Sequence, residues 1–290
     1  MAEAGLPEHW SWLSLKTPTL PPATHTNTAL IHGQQRFIVV DPGTPDANEQ
    51  ARLLEAMEAL LGRGLAFEGI FLTHQHVDHI GAVGAIQGWW ADRGEGAAGL
   101  FGHEETFVAL SADAASGPRT EIEDGQELDL GGVRLRAVHT PGHTRGHLSL
   151  VERAHKVAYG GDLVASQGTI IVNPPDGDMA AYLDSLRRVK AMGLSALLPS
   201  HGGLIEDVEG HLGHYIEHRL RREALVLGAL TDAPLRPDEL LPAAYPEVPV
   251  SLYPLAQRSL LAHLLKLVDE GRAMRHGGRW SAPVGKNDAG

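Results

Sequence analysis

Within the 290-residue chain, Thr73 to Gly81 reads THQHVDHIG, so His74, His76, Asp78 and His79 issue from one short loop. Alternate side chains of an extended stretch leave on the same side, and a tighter turn through Asp78 and His79 sets a second pair beside the first. That density of imidazole and carboxylate is the pattern of a metal centre. The chain has no cysteine, which removes thiol nucleophiles, disulfides and thiolate metal sites together. Any metal must therefore sit on histidine and carboxylate, a donor set suited to zinc, with manganese or iron as further options.

One loop cannot complete two coordination shells, so more ligands are expected at the ends of other strands. His143 in TPGHTRGH, Asp162 in YGGD and His201 in LLPSHGG each follow an apolar strand-like run and lie beside glycine, which lets the backbone turn tightly next to an ion. Seven ligands suffice for two metals. Of the other histidines, His103, His139, His147, His155 and His263 are read as scaffold or surface groups. His211, His214 and His218 recur at helical spacing amid Arg219, Arg221 and Arg222, which reads as a solvated cationic helix face.

The elements that must carry these residues are legible by periodicity. TALIHGQQRFIVV reads as two strands around a turn, ended by Asp41, Pro42 and Gly43. A helix is predicted over 48–61, a buried strand over 69–72, a helix over 81–90, and a strand entering a helix at 99–105. Residues 111–126 read as an exposed loop, 128–140 as a strand pair around Gly131 and Gly132, and 147–151 and 156–159 as further strands. A helix over 179–192 precedes a last short strand at 194–198. Strand, helix, strand with an apolar second strand indicates layered α/β construction.

The tail differs. A long helix over 207–230, a break at Pro234 and Pro237, a short helix, a helix near 254–269 and a hairpin at Gly277 and Gly278 follow in winged-helix order. The expected division is 1–210 for a catalytic domain and 211–290 for the winged-helix module. Residues 1–210 hold 14 basic and 27 acidic side chains, and residues 211–290 hold 10 and 9. That acidity argues against the protein as a whole being an electrostatic nucleic-acid binder. No run of about 20 apolar residues is present to span a membrane, and the first 30 residues show no basic start followed by an apolar stretch, so a cytoplasmic protein is expected.

These motifs resemble a metallo-β-lactamase-fold hydrolase: THQHVDHIG is similar to H-x-H-x-D-H, VVDPG to an earlier V-D-T-G element, and TPGHT, YGGD and LLPSHG to three later ones. Pro42 departs from the Thr or Ser frequent there. Over its whole length the chain resembles the lactamase-beta-like protein 2 family, through THTNTALI, HYIEHRLRREALVL and LLAHLLKLVDEGR. The resemblance implies an α/β, four-layer αββα fold followed by a small winged-helix domain. It implies that His74, His76 and His143 hold one metal, that Asp78, His79 and His201 hold the other, that Asp162 bridges them, and that Asp41 organises the motif loop without ligating.

Two zinc ions so held would turn a shared water into hydroxide at neutral pH, with Asp78 orienting it as the catalytic residue. The attack is the same on several substrates. Single-stranded RNA is the first expectation, because the resembled group includes an endoribonuclease, with Arg219, Arg221, Arg222, Arg272, Arg275 and Arg279 as phosphate receivers. A small acyl substrate is the alternative, through thioesterase, glyoxalase II-like, lactonase or β-lactam hydrolase activity. A winged-helix nucleic-acid-binding regulator without catalysis is the reading from another class; the leucine-rich LLAHLLKLV reads instead as a packing helix, since base readout needs exposed polar side chains.

Overall fold

The computed structural model describes residues 5–110 and 117–283. The first sheet has six strands in chain order: β1 (Trp10–Lys16), β2 (His25–His32), β3 (Arg36–Val40), β4 (Ala66–Phe71), β5 (Leu100–Gly102) and β6 (Arg119–Glu121). The first three pair antiparallel and the rest parallel. Helices α1 (Ala47–Gly62), α2 (Val77–Ile80), α3 (Val83–Asp92) and α4 (Glu104–Ala109) belong to this half. The second sheet runs, in chain order, β7 (Glu127–Asp129), β8 (Arg134–His139), β9 (Leu148–Glu152), β10 (Val157–Gly161) and β11 (Ala196–Pro199), antiparallel except for the final parallel pair. It is accompanied by α5 (Met179–Lys190) and α6 (Val208–Ala229).

The period-two alternation of each strand decides the layering. In β3, Ile38 and Val40 face the second sheet with Leu135, Leu150 and Tyr159, while Phe37 and Val39 face Leu53, Met57 and Leu60 of α1. In β11, Ala196 and Leu198 face inward and Leu197 meets Tyr182, Leu186 and Leu212 of α5 and α6. The result is helix, sheet, sheet, helix, as expected from the resemblance. Asp46 caps α1 by accepting from the Asn48 and Glu49 amides at 2.9 and 3.2 Å, which satisfies two of its orphan donors.

Beyond α6 come α7 (Pro237–Ala244), a single 3-10 turn, α8 (Tyr253–Asp269) and the hairpin β12 (Met274–His276) and β13 (Arg279–Ser281), around a core of their own that includes Leu240, Leu241, Leu260, Leu264 and Trp280. Val208, Leu212 and Tyr215 of α6 serve the catalytic layers and Val226 serves this second core, so one 22-residue helix joins the two. Among the described residues no helix is long and apolar enough to cross a membrane.

Two strands differ from the sequence expectation. The sequence reading assigns no strand to β1: the apolar Trp12 and Leu13 of WSWLSLK are adjacent and break the alternation, so that Trp10 and Leu15 are buried in different cores. β6 lies inside the stretch expected to be loop: all three of its residues are exposed, so it carries no hydrophobic signal, and it exists because its backbone extends β5. The part of that expected loop at 111–116 lies outside the described residues.

Candidate metal centre

Every motif emerges at one end of the sandwich. β3 and β4 are parallel neighbours, with Val40 opposite Phe71, so Asp41 and the Thr73–His74 turn leave side by side. The parallel pair β10 and β11 likewise releases Asp162 beside Ser200 and His201. Asn27 stitches the sheets together there: its amide nitrogen donates to the Ser200 carbonyl at 2.7 Å, and Tyr159 donates to the Asn27 carbonyl at 2.6 Å. Gly43 is required by close approach, because a Cβ on it would lie 1.8 Å from the Asp78 carbonyl oxygen.

Two donor clusters result. In the first, His76 Nδ1 lies 2.9 Å from both His74 Nε2 and His143 Nε2, and Asp162 Oδ2 lies 3.3 Å from His143 Nε2 and 4.0 Å from His74 Nε2. In the second, Asp162 Oδ1 is 3.2 Å from His201 Nε2 and 3.5 Å from His79 Nε2, with Asp78 at 3.6 Å from the former and 4.0 Å from the latter. A tetrahedral ion with ligands at 2.0–2.1 Å separates those ligands by about 3.3 Å. Both clusters bracket that spacing. All seven expected residues converge, and the two oxygens of Asp162 are divided between the clusters.

For four of the five rings the far side decides the tautomer. His143 Nδ1 donates to the Ile171 carbonyl at 2.8 Å and His201 Nδ1 to the His25 carbonyl at 2.9 Å. Asp41, buried in the left-handed backbone region at φ 50°, accepts from His79 Nδ1 at 2.8 Å and from the Thr73 hydroxyl at 2.6 Å; that hydroxyl in turn accepts from His74 Nδ1 at 3.0 Å. Asp41 thus holds one histidine of each cluster with Nε2 bare. Its Oδ2 accepts those two donors and its Oδ1 accepts the Thr73 amide at 2.8 Å, which ties Asp41 to the motif loop.

His74 Nε2 and His143 Nε2 both aim unprotonated at His76 Nδ1 from 2.9 Å, so three ring nitrogens crowd one point with at most one proton among them. His79 Nε2 and Asp162 Oδ1 are also buried without a hydrogen-bond partner, a costly arrangement unless a cation completes it. Burial, and then the neighbouring imidazoles, hold His74 well below the ordinary histidine pKa, and burial takes His76 down to about 4. Those rings are neutral, as ligation requires. Burial is the largest single influence on His79 and His201 and opposes charge, but Asp162 together with Asp41 and Asp78 at His79, and Asp162 together with the His25 carbonyl at His201, raises both. Burial likewise opposes charge on Asp162, yet His201 and His79 keep its pKa well below the usual carboxylate range. The second cluster draws protons to the place a cation would take. The residues fit a pair of divalent ions.

His147, expected from sequence to be a scaffold or surface group, takes part. Its Nε2 accepts from the Asp162 amide at 2.9 Å and its Nδ1 meets the Thr140 hydroxyl at 2.8 Å. Burial, followed by the nearby His143, lowers it to about 3, so it stays an acceptor and fixes the carboxylate that both clusters share. Its position four residues after His143, directly before β9, was the available signal.

Of the six arginines expected to receive phosphates, five are held by the protein's own acceptors and Arg221 is exposed. Arg219 and Arg222 are buried; Arg219 donates to the Ile170 carbonyl, and Arg222 to the Ala244 carbonyl at the end of α7 and to Glu247. Arg272 pairs with Glu223 and Glu270 at 2.7 and 2.8 Å, Arg279 reaches the Pro234 carbonyl and Glu239, and Arg275 folds onto the Gly277 carbonyl. The face of α6 is solvated only in part: His214 and Arg221 are exposed, while His211 Nε2 donates to the Ala165 carbonyl at 2.9 Å, and Arg219 and Arg222 lie on the buried stripe with Leu212, Tyr215 and Val226. Carbonyls of the 162–178 loop and of the α7 end supply what water would have.

Residues 21–201 match the metallo-beta-lactamase superfamily and residues 237–280 the beta-lactamase associated winged helix domain. A beta-lactamase-like protein 2 homolog of Drosophila melanogaster is 29% identical over 250 residues, covering 85% of this chain and 83% of that one. An atrochrysone carboxyl ACP thioesterase of Aspergillus aculeatus is 29% identical over 205 residues, covering 71% of this chain and 59% of its own length. Among solved structures, a metallo-beta-lactamase family protein of Thermus thermophilus superposes with a TM-score of 0.75 at 25% identity, over 94% of this chain and 98% of that one. The chain belongs to the metallo-beta-lactamase superfamily, as a metal-dependent hydrolase carrying the winged-helix domain associated with that fold.

Proposed function

We propose that the chain hydrolyses acyl thioesters or related small acyl substrates with two divalent ions, zinc foremost and manganese or iron as options, at its strand-end centre. His74, His76 and His143 hold one ion, Asp78, His79 and His201 the other, and Asp162 is shared. The division of the Asp162 oxygens between the two clusters carries this reading. Bound there, two such ions supply Lewis acidity toward the attacked carbonyl and lower the pKa of water.

The chain's own groups supply direction. Asp78, partly exposed while the histidines of its cluster are buried, orients the attacking water and holds its proton. The water oxygen bonds to the acyl carbon, the carbon–sulfur bond breaks, and the departing thiolate takes the proton from Asp78. Val77, 64% exposed between His76 and Asp78, offers an apolar contact at the rim. Residues 1–210 form the catalytic unit in this reading, and 211–290 a packing module that walls it.

Three features favour acyl over RNA substrates: the burial of Arg219 and Arg222 and the pairing of the exposed Arg272, Arg275 and Arg279 with the protein's own acceptors, which leaves Arg221 of the six, the acidity of residues 1–210, and the thioesterase relative. The test is catalytic efficiency of the metal-loaded protein on an acyl-CoA thioester, lactoyl-glutathione, a cephalosporin and single-stranded RNA, with the Asp162→Asn variant as background. Thioester turnover well above background, with RNA at background, is expected. RNA cleavage above background with inert thioesters would reverse the substrate assignment, and background rates on all four would remove the catalytic reading in favour of a regulator.

A further inference from the structure

A second group of metal-type side chains converges at the opposite end of the sandwich. Glu152 ends β9, five residues from His147, and at about 3.3 Å per strand residue that is about 17 Å away. Its side chain is 3% exposed. One carboxylate oxygen lies 2.8 Å from His9 Nε2 and accepts from Trp10 Nε1 at 2.7 Å, and the other lies 2.6 Å from His155 Nδ1. The His9 and His155 rings are 5.2 Å apart, and the three potential ligand atoms lie within 4.8 Å of one another.

Rigid elements fix all three. His9 immediately precedes β1, whose Trp10 pairs with Ile31 of β2, and the His32 amide donates to the His9 carbonyl at 3.0 Å. Glu152 pairs with Val157 across the four-residue turn that carries His155. Burying a carboxylate is costly unless it is paired. Among the described residues, the ion-pair partners of Glu152 are these two imidazoles. A divalent ion would give the carboxylate a permanent counter-charge. Two imidazoles and one carboxylate make a recurrent zinc donor set that leaves an open position for water. His155, 51% exposed, provides the way in and can swing to admit an ion.

We propose that His9, Glu152 and His155 form a separate site for one divalent transition-metal ion of the zinc class, clamping the start of β1 to the β9–β10 turn. The test strips the full-length protein of metal, reloads it with Zn²⁺, desalts it and measures metal per chain by elemental analysis. His155→Ala, at an exposed turn position, is expected to hold one equivalent fewer than wild type, keep the wild-type hydrolytic rate, and gain less in melting temperature on Zn²⁺ addition. His9→Ala should lose the same equivalent. Because the readout is a difference of one ion, it stands apart from the number held at the catalytic end. Equal metal content in wild type and His155→Ala overturns the proposal, as does a variant that melts earlier in metal-free buffer with no change in metal count, which would leave the cluster an ion-pair contact only.

Discussion

At the catalytic end, the buried atoms without hydrogen-bond partners, His79 Nε2 and Asp162 Oδ1, face one another across 3.5 Å. Between α6 and α8, the buried ring of His263 also has two unpartnered nitrogens, but the opposite kind of charge surrounds it. Burial, then Arg219, Lys266 and Arg222, press its pKa well below the ordinary value. Nearby, Glu223 receives Lys266 and Arg272, each at 2.7 Å. Both regions bury histidine and carboxylate. In one, bare lone pairs converge on a gap between acceptors, which a cation completes; in the other, fixed cations already fill the role, and a metal ion would be repelled. The signs of the neighbours, more than the count of histidines, separate a reaction centre from a packed interface.

That contrast can be broken most severely at Asp162. Asp162→Asn keeps the shape but removes the charge shared by both clusters, so hydrolysis should fall to the uncatalysed background and bound metal should drop, while circular dichroism stays unchanged. Full activity in this variant would mean that the shared carboxylate is not needed. In the C-terminal region, Glu223→Gln should have the reverse profile. It removes one of the two carboxylates that hold Lys266 and Arg272, which keep Glu270 at 2.6 and 2.8 Å, so stability should fall by about 2 kcal/mol in denaturant titration, with metal content unaffected. If it lost metal instead, the two regions would be one system.

A smaller effect is expected at Asp41→Asn. Asparagine tolerates the left-handed backbone of this position but weakens the grip on His79 and on the Thr73–His74 relay. Metal affinity should fall by roughly 10–100-fold, measured by competition with a chelator. The mildest effect is on pH dependence. His218 is lowered to about 4, by burial and then by Arg219 and Arg222, and His263 is also lowered. The unfolded chain therefore binds more protons than the native one between about pH 6.5 and 4. Stability is fully present above that window and is lost as pH falls through it, and His218→Gln should flatten the corresponding slope in melting temperature. An unchanged slope would place the acid sensitivity elsewhere.

Much of the catalytic end is readable in the sequence, because its ligands follow short continuous apolar runs, the signature of strands buried on both faces. β3, β4, β10 and β11 are such strands, and Asp41, His74, Asp162 and His201 follow them within three residues. The order α7, α8 and hairpin was legible from Pro237, the leucine spacing and the Gly277–Gly278 turn. The failures have separate physical causes. β6 is fully exposed and defined only by its backbone partner. Arg219 and Arg222 look solvent-facing by type, yet carbonyls of residues 49 and 22 positions away receive them, and charge alone does not reveal such a partner. His147 is hidden for a related reason: its role is to accept one backbone amide, an interaction without a composition signature.

The most direct test of the paired-cation centre is an anomalous-diffraction map from a crystal of the metal-loaded protein. Two peaks about 3.5–4 Å apart, one on each side of the Asp162 carboxylate, with Asp41 in contact with neither, are the expected result. A single peak there, or metal bound through Asp41 in place of Asp162, would contradict the account.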